Sequence, residues 1–223
     1  MKNRKMLEEM FRLQDKLNIK TCGANWKSGI TDEGRVINWE RYIVMEAAEL
    51  LESFPYKHWK DISAKPDIAN AKVEIVDIFH FLMSFMLENH SLNDCVALTE
   101  ECLLKDDIVI RGADILVLIE HIMQSSLCND RSDKDKFTTF FNVLARMDMD
   151  VSELYSMYLV KNALNIFRQN HGYKDGSYVK VIDGKEDNET FFVMAEELAK
   201  DGKLTYDNLY TWYEEFYNSK TKK

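Results

Sequence analysis

No apolar run in this sequence approaches the roughly 18 residues that a membrane-crossing helix requires, so a membrane-embedded protein is not expected. An apolar signal core is missing as well. The opening stretch, MKNRKMLEEMFRLQDKLN, reads as an amphipathic helix through Met6, Met10, Leu13 and Leu17, and a cytoplasmic protein is expected. Cysteine is scarce and scattered: Cys22, Cys95, Cys102 and Cys128 form no C-x-x-C, which argues against a zinc site and a disulfide framework and leaves buried free thiols. Positive charge is in deficit, with 29 Lys and Arg against 38 Asp and Glu and a net charge of -9. An extended groove for a nucleic-acid polymer is excluded on those grounds. A small phosphorylated ligand is not, because metal ions and a few cations can concentrate positive charge locally. The chain also lacks repeats, low-complexity tracts and any obvious linker.

Proline is the most informative scarcity. Only Pro55 and Pro66 occur, and they bracket one short segment, SFPYKHWKDISAKPD, with long uninterrupted stretches on either side. The remainder is 46% hydrophobic and 30% charged, the balance of a globular protein with one substantial core. Apolar periodicity predicts helices over 3–19, 36–54, 67–89, 92–104, 107–127, 134–147, 150–170, 188–200 and 204–218. Residues 20–35 and 171–187 each hold three glycines and read as loops, with SYVKVI able to form a short extended piece. The fold class is all-α, a multi-helix bundle in a single domain over 1–223, with 91–150 a helical insertion packed on the core.

Two acidic pairs flank the proline segment. Glu46 and Glu49 lie in MEAAELLESF, and Glu74 and Asp77 in AKVEIVDIFHFLM. Spacing of i, i+3 puts each pair on one helical face. Glu46 and Glu49 share theirs with Trp39, Tyr42, Ile43 and Leu50, and Glu74 and Asp77 with Ile78, Phe81 and Phe85. Either pair alone is commonly a solvated strip, as Glu46, Glu49 and Glu52 together would be. Two pairs of equal spacing, both on apolar stripes and one short connection apart, point instead to a hairpin that sets them face to face. Carboxylates in such surroundings are costly without a positive partner. Oxygen-only ligands select a hard cation, Mg²⁺ with Mn²⁺ as a substitute, and four carboxylates favour more than one ion. Such a centre facing a polyphosphate suits hydrolysis of a phosphoanhydride.

Other residues are candidates for the organic part of a ligand. Lys161, Asn165 and Arg168 fall at i, i+4, i+7 on one helix face, and Lys174 and Lys180 follow in the glycine-containing stretch with Tyr173 and Tyr178. Cations so arranged suit an anion with several charged oxygens, although basic residues also favour helix C-termini for their own sake. Gln14 and Asn18, at i, i+4, offer amides to a base edge, while exposed amides on a helix usually serve nothing. Trp59, beside Lys60, can stack on a base or cover the core. His80 follows Asp77 by one turn and by itself is more often structural.

Together these residues resemble the dimeric dUTPases of the all-α NTP pyrophosphatase superfamily. The superfamily signature, E-x-x-E then E-x-x-D, stands here as Glu46-Ala-Ala-Glu49 and Glu74-Ile-Val-Asp77. The likeness is narrowed by Gln14 and Asn18, Trp59-Lys60, His80 and KNALNIFRQNHGYKDGSY. It covers about residues 5 to 215 and is weakest over 91–150. The resemblance implies Mg²⁺-dependent hydrolysis of dUTP to dUMP and pyrophosphate, and of dUDP to dUMP and phosphate, by a homodimer. Glu46, Glu49, Glu74 and Asp77 would hold the metals, with Glu49 orienting and deprotonating the attacking water. Gln14, Asn18, Trp59 and His80 would form the uracil pocket, and Asn165 would lie near the deoxyribose. Lys60, Lys161, Arg168, Lys174 and Lys180 would gather the phosphates. The acidic signature is shared with relatives of other base preference, so a dCTP/dUTP or housecleaning pyrophosphatase is the alternative, and a non-catalytic nucleotide-binding helical dimer a further one.

Overall fold

A computed structural model describes residues 2–61, 63–103, 113–128 and 132–221. These residues are almost entirely helical: α1 (Lys2–Cys22), α2 (Trp39–Glu52), α3 (Ile68–Asn89), α4 (Leu92–Leu103), α5 (Ile115–Leu127), α6 (Asp133–Arg146), α7 (Val151–Asn170), α8 (Asp187–Lys200) and α9 (Tyr206–Thr221). The all-α class is as expected, and the one sheet among the described residues is a two-stranded hairpin. The helix expected over 107–127 lies partly outside the described residues; its described part starts at Ile115, capped by the Asp114 side chain, which accepts from Leu116 N.

Both ends of the helix that carries the first acidic pair moved for local reasons, and the first helix runs on to Cys22, into the stretch read as a loop. The helix expected from residue 36 begins at Trp39, because Ile30 and Val36 form an antiparallel bridge and the Asn38 side chain caps the first turn by accepting from Arg41 N at 2.7 Å. It ends at Glu52 rather than 54, since Pro55 disfavours helical geometry in the residue before it. Pro66 has the opposite use. It leads into Asp67, whose carboxylate accepts from Asn70 N at 3.0 Å and opens α3.

By packing, the chain divides into two compact units, Met1–Tyr155 and Ser156–Lys223, with the division inside α7. In the first, α2 packs on α3 and α5, α1 on α3 and α4, and α6 on α3, α4 and α5. The 91–150 region therefore adds α4, α5 and α6 to the walls around the acidic hairpin. Its main apolar contact is a phenylalanine cluster, in which Phe79 of α3 stacks on Phe140 of α6 with centroids 5.1 Å apart. The Lys136 ammonium of α6, also buried, lies 3.2 Å from Glu40 of α2 and 4.5 Å from the Phe85 ring centroid of α3. Cys95 and Cys102 are buried in this unit, and Cys22 and Cys128 are half-buried; burial pushes the Cys95 thiol up to about 12.

The second unit contains the rest of α7, the hairpin of β1 (Val181–Ile182) and β2 (Lys185–Glu186), and α8 packed on α9. The extended piece expected in SYVKVI is thus present. Asp183 and Gly184 turn the hairpin, both with positive φ (52° and 78°), the geometry of a type I′ turn that glycine favours. Around buried Phe167 sit the rings of Tyr210, Tyr213 and Tyr217, with centroids 4.8 to 5.4 Å away.

Replacing Glu40 by Gln removes the carboxylate beside a buried ammonium. The expected loss, discounted for the partial exposure of Glu40, is about 1–3 kcal/mol, read as a lower urea midpoint. Lys136→Met, which removes the buried charge itself, is expected to cost less; an unaltered midpoint in Glu40→Gln would show that the pair does not hold α2 to α6.

Candidate active site

Contacts along α2 and α3 step in opposite directions. Where α2 ends, Asp67 N donates to Ser53 O at 2.8 Å and Asn70 Nδ2 to Ser53 Oγ at 2.9 Å. At the far end, the Phe81 ring lies 6.2 Å from Trp39 and 5.3 Å from Tyr42, centroid to centroid. The two helices are therefore antiparallel, as the proline-bounded connection predicts. Between these ends, one carboxylate oxygen each from Glu46, Glu74 and Asp77 lie within 4.8 Å of one another.

Glu74 is buried, and Glu46 and Asp77 are half-buried. Three carboxylates so close repel each other strongly when ionised. Their donor set, oxygen alone and partly withdrawn from water, fits a hard divalent cation. Glu49 differs from its partners: it is exposed, and it is not part of the threefold cluster. One further turn along α2 explains its place. Leu50 takes the inward position and is buried, which turns Glu49 to the solvent edge of the stripe.

Gln14 and Asn18 are not exposed amides. Each is 2% accessible, and both are tied to Ser84 of α3, a residue that the sequence reading missed. Gln14 Nε2 donates to Asn18 Oδ1 at 3.0 Å and to Ser84 Oγ at 2.9 Å, and Asn18 Nδ2 donates to Ser84 Oγ at 3.0 Å. The Ser84 hydroxyl lies 2.8 Å from His80 O and 3.1 Å from Asn18 Oδ1. A signal for Ser84 was present: it is a lone hydroxyl in an apolar run, one turn beyond His80. His80 is buried too, and its Nδ1 lies 2.8 Å from Val76 O, which makes Nδ1 the donor nitrogen.

Trp59 is 68% exposed, so it does not cover the core, and its ring meets that of its neighbour His58 edge-on. Lys60 is exposed beside it. The start of their loop is anchored to α2 by Glu52, which accepts from Tyr56 Oη at 2.7 Å and from Lys57 Nζ. Lys57 first, then Tyr56, hold the Glu52 carboxyl below its ordinary range. Lys57, Lys60 and Lys65 line one shallow depression next to this anchor.

The remaining candidates belong to the second unit. Lys161 and Asn165 are half-buried on α7, and Lys174 is exposed in the loop that follows. Arg168 is committed to an internal partner. Its Nε and Nη2 donate to the two oxygens of Asp187 at 2.7 and 2.8 Å, while Nη1 reaches Asn165 Oδ1 at 3.4 Å. Asp187 is 2% accessible and also accepts from Tyr178 Oη at 2.9 Å. The sequence reading did not find Asp187, because its distance along the chain from Arg168 carries no helical or strand periodicity. Lys180 pairs with Glu186 at 3.0 Å across the base of the hairpin.

A family model described as dUTPase matches residues 6–173. The chain belongs to the dUTPase family. It is thus a dUTP diphosphatase, and the acidic cluster belongs to a dUTPase fold. The matched stretch takes in both acidic pairs, Gln14, Asn18, Trp59, Lys60, His80, Lys161, Asn165, Arg168 and all of 91–150; Lys174 and Lys180 fall beyond it. Among curated proteins no match is found. No helix among the described residues is long and apolar enough to cross a membrane.

Burial by itself would raise the Asp187 carboxyl, but the Arg168 hydrogen bonds and charge, with the Tyr178 hydroxyl, outweigh it and hold the carboxyl below the ordinary aspartate value of 3.8. A depressed folded pKa stabilises above the unfolded pKa, and that contribution disappears as pH falls through the folded value. Acid unfolding of the dUTPase is therefore expected to steepen below about pH 4. Asp187→Asn is expected to be less stable at pH 7 and to lose this part of the acid dependence. Parallel thermal melts of the two proteins from pH 7 to pH 3 measure it; equal slopes would remove Asp187 from the acid response.

Proposed function

We propose that the enzyme hydrolyses dUTP to dUMP and pyrophosphate, and dUDP to dUMP and phosphate, with Mg²⁺ held by Glu46, Glu49, Glu74 and Asp77. The observation that carries this reading is the convergence of Glu46, Glu74 and Asp77 from two helices, within 4.8 Å, in a chain of the dUTPase family. When bound, Mg²⁺ supplies charge neutralisation for the phosphates and acidifies water, and Mn²⁺ can substitute.

The protein's own groups have distinct tasks. Glu49, at the exposed rim of the cluster, orients the attacking water and accepts its proton on a carboxylate oxygen. Gln14, Asn18, His80 and Trp59 receive the uracil ring, the first three from a buried wall and Trp59 from an exposed loop. Buried amides suit that task, since a base with the wrong edge leaves them unpaired. Lys60, Lys161, Arg168, Lys174 and Lys180 bind phosphate oxygens and Asn165 the deoxyribose. For Arg168, the Asp187 pairing fixes the plane of the guanidinium and leaves Nη1 as the arm for a ligand. A single functional domain over 1–223, a homodimeric state and a cytoplasmic location complete the reading, on the strength of the family likeness.

A panel of nucleoside di- and triphosphates assayed for phosphate and pyrophosphate release tests the substrate. Turnover of dUTP and dUDP is expected with Mg²⁺ and is expected to vanish on chelation, returning with Mg²⁺ or Mn²⁺. Inert dUDP would confine the activity to the triphosphate, and full activity in chelator would remove the metal. Glu49→Ala is expected to lower kcat by about 10²-fold or more while the far-ultraviolet circular dichroism stays unchanged, because the side chain is exposed. Unaltered kcat would take Glu49 out of the proton transfer.

A further inference from the structure

We infer that Asn70 is a positioning residue: its hydrogen bond to Ser53 sets the level of α2 against α3 at the open end of the acidic site, and through that level the affinity for a divalent cation. This rests on the metal-site reading above. It goes beyond that reading in naming a residue that acts on the acids without being one of them.

The two helices keep one register. Tyr42 faces Phe81, with ring centroids 5.3 Å apart. Four residues on along α2 and four back along α3, Glu46 meets Asp77 in the acidic cluster. Three further residues each way bring Glu49 level with Glu74. Four more bring Ser53 level with Asn70, and there Asn70 Nδ2 donates to Ser53 Oγ at 2.9 Å. The acids thus occupy two layers between an aromatic layer and a hydrogen-bonded one, each about one helical turn from the next.

The two bounding layers are held differently. The Trp39 ring packs on both Tyr42 and Phe81 and closes that end with apolar surface. At the other end Asn70 is exposed and Ser53 is 7% accessible. Three hydrogen bonds close a ring there. Asp67 N donates to Ser53 O at 2.8 Å, Asn70 N donates to Asp67 Oδ1 at 3.0 Å, and Asn70 Nδ2 reaches Ser53 Oγ. Of these, only the last joins side chains across the hairpin, and it lies one turn from the Glu49–Glu74 layer. Repulsion among the carboxylates pushes α2 from α3 at this end, and the Asn70–Ser53 bond opposes it. Being neutral, the bond neither adds to that repulsion nor, as a lysine would, neutralises an acid. Asn70→Ala removes it and keeps the backbone bond to Asp67.

Mn²⁺ binding to the substrate-free protein, read from the paramagnetic resonance signal of the free ion, tests this, with the melting temperatures of the metal-free proteins measured beside it. Asn70→Ala, Ser53→Ala and the double variant are each expected to weaken Mn²⁺ binding by about fivefold, the double no more than the singles, because the same bond is lost in all three. Ser53→Thr, which keeps the hydroxyl, is expected to bind as the native protein does. A lower melting temperature in Asn70→Ala with Mn²⁺ affinity within about twofold of native would make the bond merely structural and overturn the inference, as would additive losses in the double variant. Glu46→Gln separates the two readings. If it weakens Mn²⁺ binding by about tenfold or more while Asn70→Ala binds normally, the positioning role is wrong and the metal site stands. If Glu46→Gln is no different from the native protein, the metal site itself fails. An Asn70→Ala protein that does not fold, judged by lost circular dichroism, is replaced by Asn70→Ser, whose side chain is too short to reach Ser53, and the same affinity decides.

Discussion

Mutual repulsion among Glu46, Glu74 and Asp77 is the constraint around which the first unit is arranged. Charges 4.8 Å apart oppose each other by roughly 3 kcal/mol per pair at an effective dielectric constant near 20. Left to itself, a hairpin with that burden would splay. Packing on both sides opposes it. α5 backs α2, α6 and α1 back α3, and the stack of Phe79 on Phe140 presses α6 onto the helix that contributes two of the three acids. Lys136, lodged between Glu40 and Phe85, ties the same three helices together with a charge of the opposite sign. The three carboxylates are thereby held close together by the packing of the helices around them, a set of oxygen donors that fits a hard divalent cation.

A second economy operates on the face of α3 next to α1. Burying Gln14, Asn18, His80 and Ser84 among apolar neighbours is costly unless each polar group is satisfied. The serine resolves this by acting at once as acceptor for two amides and donor to a helical carbonyl. A buried network of this kind holds the two amides in place. In the second unit, Arg168 and Asp187 play a comparable part: a bidentate ion pair, capped by the Tyr178 hydroxyl, joins α7 to the start of α8.

Much of this was legible beforehand, and the legible part has a common cause. Helix positions, the role of the two prolines, the acidic pairs and the short hairpin at 181–186 all depend on spacing within one segment, and periodicity reports spacing directly. Contacts between residues far apart along the chain were not legible. Gln14 and Asn18 were weighed as exposed amides, because a helical wheel for α1 does not show that α3 covers them. Arg168 was read as a cation for a ligand; that Asp187 also holds its guanidinium was not legible, because Asp187 is in a different element. Trp59 was held between stacking and covering the core; its exposure decides against the core.

By itself, the sequence determined the helical class, the antiparallel pairing of the two acidic segments and the oxygen-rich character of the site, since each follows from residue type and local period. Tertiary structure alone decided which three acids crowd together and which one, Glu49, turns outward. It also decided that Ser84 meets Gln14 and Asn18 across two helices and that Arg168 is held by Asp187. Those outcomes depend on which side chains meet across helices, and that is set by packing, in which a change of one position around a helix moves a group from the core to solvent.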